Sequence, residues 1–238
     1  MDDTKYKKSF DLFLKRTDEK SIIKKFIYQH IALRKNVFFL DIGGGNGSLA
    51  LMISKKVNST LVIEPNREFC KQLKRKNIRV ISAKWENTRL SSTYDFILAA
   101  YVVTYFPKNK MTKLIEKIYK HLQHGGVALI LSIDAKEGSW RQIHTYFYNL
   151  IGHTHHSSDN ELKKNIRKYN PIATTFRTHI VAKDTEEMLK VLGFDFFRYP
   201  KEFSKFSEHL KKFMKKYSRK DGKICLEMVH NAYIINKK

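Results

Sequence analysis

Cysteine, proline and acidic residues are all scarce in this chain of 238 residues. The two cysteines, Cys70 and Cys225, stand far apart and outside any CxxC pair. That excludes a disulfide scaffold and points to a reducing compartment, with a cytoplasmic protein the expectation. No stretch approaches the roughly 18 uninterrupted apolar residues that a membrane helix needs. The amino terminus, MDDTKYKK, has no apolar run behind a basic start, so no secretory signal is expected. No internal repeat and no low-complexity linker interrupts the chain. Acidic side chains number 23 against 46 Lys and Arg, a formal charge of +23. Such a field attracts polyanions, but lysines covering solvated faces are the simpler explanation; the densest run is KKFMKKYSRKDGK at 211–223.

What is present suits one well-cored domain: 42% hydrophobic and 13% aromatic residues. Residues 5–34 have near-helical apolar spacing, broken at KRTDEK (15–20), which predicts two helices with Thr17 or Asp18 capping the second. VFFLDI (37–42) is a short continuous apolar run, as in a strand covered on both faces. A helix over SLALMISKK, a strand over 60–65, a helix over 66–76 and a strand over 78–83 follow. Then come a strand over 94–103, a helix over 108–123 ended by Gly125 and Gly126, and a strand over 127–133. This alternation means βαβ units and a doubly wound α/β sheet. Residues 138–180, aromatic and His-rich, read as a lid; 184–194 as a capped helix; 224–236 as an edge hairpin strand. HTHH (153–156) has no carboxylate or cysteine at ligand spacing and reads as a polar loop, so no metal site is expected.

Four glycines fall within five positions in FFLDIGGGNGSL (38–49): Gly43, Gly44, Gly45 and Gly47. They let the chain turn tightly at the carboxyl end of the first strand and let a ligand approach the backbone. Two ligand classes use such a turn. GNGSLA (45–50) satisfies the dinucleotide pattern, and Glu64 lies nineteen residues beyond Gly45, where a ribose-binding acid belongs. A nicotinamide oxidoreductase is therefore one reading. Against it, Asp41 stands directly before the turn, where a carboxylate repels pyrophosphate and suits a cationic ligand. About 36 residues also precede the first strand.

The turn reads D-x-G-x-G-x-G over 41–47 and resembles motif I of the class I S-adenosylmethionine (SAM) methyltransferases. VIEP ending at Pro65, VISAKWENT (80–88), YDFILAAYVVTYF and LQHGGVALI resemble that family's later strand motifs, in order. The resemblance implies a Rossmann-like doubly wound sheet with SAM as cofactor. It implies Asp41, Gly43, Gly45, Gly47, Glu64 and Ala100 around that cofactor, Glu64 accepting from both ribose hydroxyls. Trp85 is then expected to stack on the adenine, with Glu86, Asn87 or Thr88 reaching its amino group, although many relatives place an acid where Lys84 stands. On this plan 5–34 is a helical cap, 37–136 the SAM-binding core, 137–182 a lid insertion, and 183–238 a terminal helix with edge strands.

The outer segments, YKKSFDLFLKRTDEKSIIKKF, EGSWRQIHTYF, DTEEMLKVLGF and DGKICLEMVHNAYII, resemble the histamine N-methyltransferases. That resemblance places a substrate-contacting glutamate on Glu19, a lid tryptophan on Trp140 and a strand-four aromatic on Tyr105. Tyr101 stands where the family has glutamine and Thr104 where it has tyrosine, and the terminal-strand asparagine does not fall on Asn231. A related small amine or imidazole compound is therefore the expected acceptor, held by a monomer. Glu19 would anchor a charged or NH-bearing end, since a carboxylate beside the attacked nitrogen would oppose its deprotonation. Tyr101 and Tyr105 would line the pocket. An imidazole nucleophile needs no dedicated base. The alternative acceptor is RNA or protein drawn by the basic surface; TYFP replaces the Asn-Pro-Pro-Tyr motif of base-amino enzymes, and no RNA-binding module is appended. A third reading, outside catalysis, is a SAM-fold remnant serving as a binding or scaffold module, against which stands the intact glycine turn with Asp41 and Glu64.

Overall fold

A computed structural model describes residues 3–154 and 157–238. His155 and His156 of the HTHH stretch lie outside the described residues. Two helices come first, α1 (Asp3–Arg16) and α2 (Glu19–His30). The Thr17 hydroxyl accepts from the Glu19 N–H at 3.1 Å, satisfying a donor the first turn of α2 cannot pair internally. The alternating core follows: β1 (Phe38–Ile42), α3 (Ser48–Ser54), β2 (Ser59–Ile63), α4 (Arg67–Arg75), β3 (Arg79–Ile81), β4 (Tyr94–Ala100), α5 (Met111–Lys120) and β5 (Leu122–Ile133). Beyond it lie α6 (Ser139–Leu150), α7 (Ser158–Ile166), β6 (Ile172–Ala182), α8 (Thr185–Leu192), α9 (Pro200–Lys205), α10 (Ser207–Met214) and β7 (Ile224–Asn236).

One seven-stranded sheet runs in the order β3-β2-β1-β4-β5-β7-β6. β1 through β5 pair in parallel, and β7 pairs antiparallel to β5. The expected α/β, Rossmann-like doubly wound architecture is the observed one. Four details differ. β7 is an interior strand, not an edge: most of its residues are buried, as its apolar run requires. The segment read as a lid carries α6, α7 and β6, a strand hidden by its polar alternation ATTFRTH. β4 stops at Ala100 because Tyr101 turns left-handed. Gly125 and Gly126 lie inside β5 and do not end a helix; a Cβ on Gly126 would stand 2.8 Å from the Gln123 carbonyl oxygen, beside the register shift between Tyr94 and Phe96.

The chain divides into two compact units: residues 23–133, 157–176 and 230–238, and residues 1–22, 134–156 and 177–229. In the first, the strands bury both faces. Leu40, Ile42, Ile97, Ala99, Ala128 and Ile130 pack into one core. Their neighbours Phe39, Phe96, Leu98, Leu129 and Leu131 pack into the other, which is why these strands read as continuous apolar runs. In the second unit, α1 packs on α8 and α10 on α6 and α8. Its interior is aromatic: Phe13, Trp140 and Phe194 meet, and His144 lies between Trp140 and Phe196 with Asp195 at 2.8 Å. Among the described residues no helix is long and apolar enough to cross a membrane.

Candidate active site

Strand order reverses at β1: the chain winds through β2 and β3 on one side and through β4 and β5 on the other. The crevice between the carboxyl ends of β1 and β4 is where such sheets bind ligands. Gly43 to Gly47 occupy its lip. Gly43, Gly45 and Gly47 have φ of 74°, 55° and 77°, the left-handed region that side chains disfavour. The Gly43 N–H donates to the Ile63 carbonyl at 2.7 Å and the Gly47 N–H to the Gly44 carbonyl at 3.0 Å, which folds the turn back onto β2 before α3 begins.

Glu64, the first residue after β2, is buried and joins this turn. Its Oε2 accepts the Gly45 N–H at 2.8 Å and its Oε1 the Asn66 N–H at 2.7 Å. Asn66 in turn caps α4, its Oδ1 accepting from Glu68 and Phe69. Asp41 is buried at the end of β1, and its Oδ2 lies 3.0 Å from where a Cβ on Gly44 would stand. The glycine turn, Asp41 and Glu64 therefore meet at one place, as the sequence predicts. Ala100 ends the adjoining β4, Tyr101 follows it, and Tyr105 sits in a short 3-10 turn beyond, 46% exposed.

The segment after β3 is a single 3-10 turn, Trp85–Asn87. Trp85 is not a platform for a base: it is 3% exposed, donates its indole N–H to the Leu114 carbonyl at 3.2 Å, and carries Lys117 Nζ 4.2 Å from the ring centroid. The Thr88 hydroxyl turns inward onto the Lys84 carbonyl at 3.0 Å. Glu86 and Asn87 are the residues of this turn that reach the surface. Sequence reasoning missed Lys117, which binds the Trp85 carbonyl at 2.6 Å and the Thr88 carbonyl at 2.5 Å and so holds the turn shut. Burial pushes its ammonium below the ordinary value, opposed by Glu86. An amphipathic helix with one inward lysine offers no sequence signal for this.

Glu19 and Trp140 belong to the other unit. Glu19 opens α2 as a buried carboxylate with Lys20 Nζ at 3.1 Å. Trp140 is 3% exposed in the aromatic interior against Phe13, Phe194 and His144, a core position there.

Residues 39–126 match the family model described as a methyltransferase domain. An uncharacterized protein of Methanocaldococcus jannaschii is 27% identical over 165 residues, 65% of this chain and 40% of that protein. The chain thus spans about two fifths of that relative's length. Among solved structures, a Bacillus halodurans protein provisionally assigned as a methyltransferase superposes with a TM-score of 0.65 at 15% identity, over 90% of this chain and 98% of its own. The mycolic acid cyclopropane synthase CmaA1, solved with SAH and CTAB, gives 0.58 at 13% identity over 91% of this chain and 83% of its own. The fold is that of the class I methyltransferases.

Proposed function

We propose that this chain is a SAM-dependent methyltransferase acting on a nitrogen of a small amine or imidazole compound of the histamine kind. The observation that carries the first half is the hydrogen bond from Gly45 to Glu64, which brings the glycine turn and an acid on the neighbouring strand to one point. When bound, the cofactor supplies a methyl group on a sulfonium, an electrophile. The residues present fit it. Glu64 is a carboxylate, an acceptor of the kind a ribose diol needs, and the N–H groups of Gly45 and Asn66 hold it beside the turn. Asp41 beside the turn favours a cationic ligand and opposes a pyrophosphate. CmaA1, alike in fold, holds SAH, the demethylated form of this cofactor. Glu86 and Asn87 remain to meet the adenine; Trp85 and Thr88 do not.

For the acceptor, support comes from Glu19, a buried carboxylate suited to a cationic or NH-bearing group, and from the outer segments' resemblance to the histamine enzymes. Tyr101 and Tyr105 supply aromatic lining at the end of β4. Trp140 contributes packing. A second acceptor class, RNA, is favoured by one observation: a cavity of about 470 Å³ beside β3 lined by Lys74, Arg79, Arg89, Ser91 and Ser92 and by no acid. Purified protein given methyl-labelled SAM with histamine, other biogenic amines and total RNA separates these. Label in a small amine or imidazole supports the proposal. Label in RNA alone replaces it with the second reading, and no SAM binding removes both.

A further inference from the structure

The cavity of about 470 Å³ beside β3 has a size typical of small-molecule sites, which run from about 300 to 1,000 Å³. Three cations meet there from three different elements. Lys74 comes from the last turn of α4, Arg79 from the start of β3, and Arg89 from the segment leading into β4. No acid lines the cavity, and among the described residues none of the three cations has an ion pair. A cation at Lys74 also suits the carboxyl end of its helix. The two arginines are on no helix, so that explanation does not reach them. Ser91 and Ser92 add hydroxyls to the same lining.

Beneath the charges the lining is apolar. Leu61, Ile81 and Leu90 line it and pack on the core, and Tyr94 belongs to that core. Burial raises the Tyr94 phenol above its ordinary pKa and Arg79 opposes the rise, so the guanidinium's field reaches this floor. The segment carrying Arg89 is pinned at both ends from α5. Lys117 donates to the Thr88 carbonyl, and His121 Nδ1 lies 3.0 Å from the Ser92 carbonyl. The lining is thus largely built before a ligand arrives, which lowers the entropy lost on binding.

We infer that this cavity is a second binding site, for a small organic phosphate: a phosphomonoester or diphosphate carried on a compact apolar or aromatic body. A phosphomonoester has about two negative charges at neutral pH, a better match to three cations than a single carboxylate. Guanidinium forks pair with phosphate oxygens two at a time, and the apolar floor receives the body. An RNA strand fits less well. Its phosphates need cations but no apolar floor, and single strands stack their bases on exposed aromatic platforms, whereas Tyr94 is buried. β3 is the edge strand, and β2 separates it from β1 and the crevice beyond. The inference therefore stands apart from the methyl-transfer reading.

Titration calorimetry with uridine 5′-diphosphate, inorganic pyrophosphate and uridine tests this, since none of them offers adenine to the crevice. The nucleotide is expected to bind one-to-one with a Kd at or below about 1 mM, pyrophosphate more weakly, and uridine not measurably. Arg79→Gln and Arg89→Gln should each weaken the nucleotide about five- to tenfold, the weight of a charge-assisted hydrogen bond at an exposed site. Both side chains are exposed, so each variant should keep the wild-type melting temperature. Lys212→Gln combined with Lys215→Gln removes exposed charge from the other unit and should leave the affinity within about twofold. Equal weakening in that control makes binding a property of the overall charge and overturns the inference. So do pyrophosphate or citrate bound as tightly as the nucleotide, and a nucleotide that does not bind. A single-stranded oligoribonucleotide that binds through Arg79 and Arg89 when the nucleotide does not gives the cavity to RNA instead.

Discussion

Replacing Glu64 by Gln keeps the side chain's size and removes its charge. One amide oxygen can still accept a backbone N–H, but the amide NH2 must then face the other donor. Gly45 and Asn66 now sit 2.8 and 2.7 Å from the two carboxylate oxygens, in a place with little water access. Losing one charge-assisted hydrogen bond and stranding its donor costs about 1.5–3 kcal/mol. For a chain of this length that is a drop of about 3–12 °C in melting temperature without ligand. The ribose loses one acceptor as well, so SAH affinity should fall by about ten- to a hundredfold. The two effects are read separately, by thermal unfolding of the free protein and by titration of SAH into folded protein below its transition. Loss of stability with unchanged affinity would make Glu64 a brace for the turn and nothing more. No loss of stability would refute the geometry from which the rest is argued.

Gly47→Ala places a Cβ 2.3 Å from Leu73 Cδ2 at φ 77°, whereas Gly125→Ala at φ 76° meets open space. Strain plus overpacking predicts about 2–5 kcal/mol lost for the first and about 1–2 for the second, and denaturant unfolding that finds them equal would disprove the Leu73 contact. Lys117 has a folded-state affinity for protons below that of the unfolded chain, burial being the main cause. Between the depressed value and the ordinary value of 10.5 the unfolded chain binds more protons, so this group makes stability rise with pH there. Lys117→Met should flatten that slope in unfolding measured from pH 8 upward, and an identical slope would remove the assignment. Glu19→Gln should raise the KM for histamine or a related amine while the SAM dissociation constant holds; equal loss of both would take Glu19 out of the acceptor role.

The sheet and its glycine turn were legible because their physics is local. Strands buried on both faces must be apolar throughout, as VFFLDI and VALILSI are, and a turn against a ligand must shed side chains. Glu64 was legible by spacing alone. The Trp85 assignment failed because nothing in ISAKWENT shows Lys117 or the Leu114 carbonyl closing on the indole from a helix thirty residues away. β6 escaped notice because only its second half is buried, so its apolar residues do not form a run. β7 had the signal of an interior strand, a long apolar stretch, and was misread by its place at the end of the chain. The strain at Tyr101 and its bond to His230 join residues 129 positions apart and leave no mark in either segment.

On the proposed function, the turn after β1 and the carboxylate after β2 together hold a sulfonium nucleoside. Titrating SAM and NADH separately into the protein, with Glu64→Gln alongside, tests it most directly. Saturable one-to-one binding of SAM, weakened in the variant, and no binding of NADH are the expected results. Binding of NADH in place of SAM, or SAM binding that Glu64→Gln leaves untouched, would contradict it.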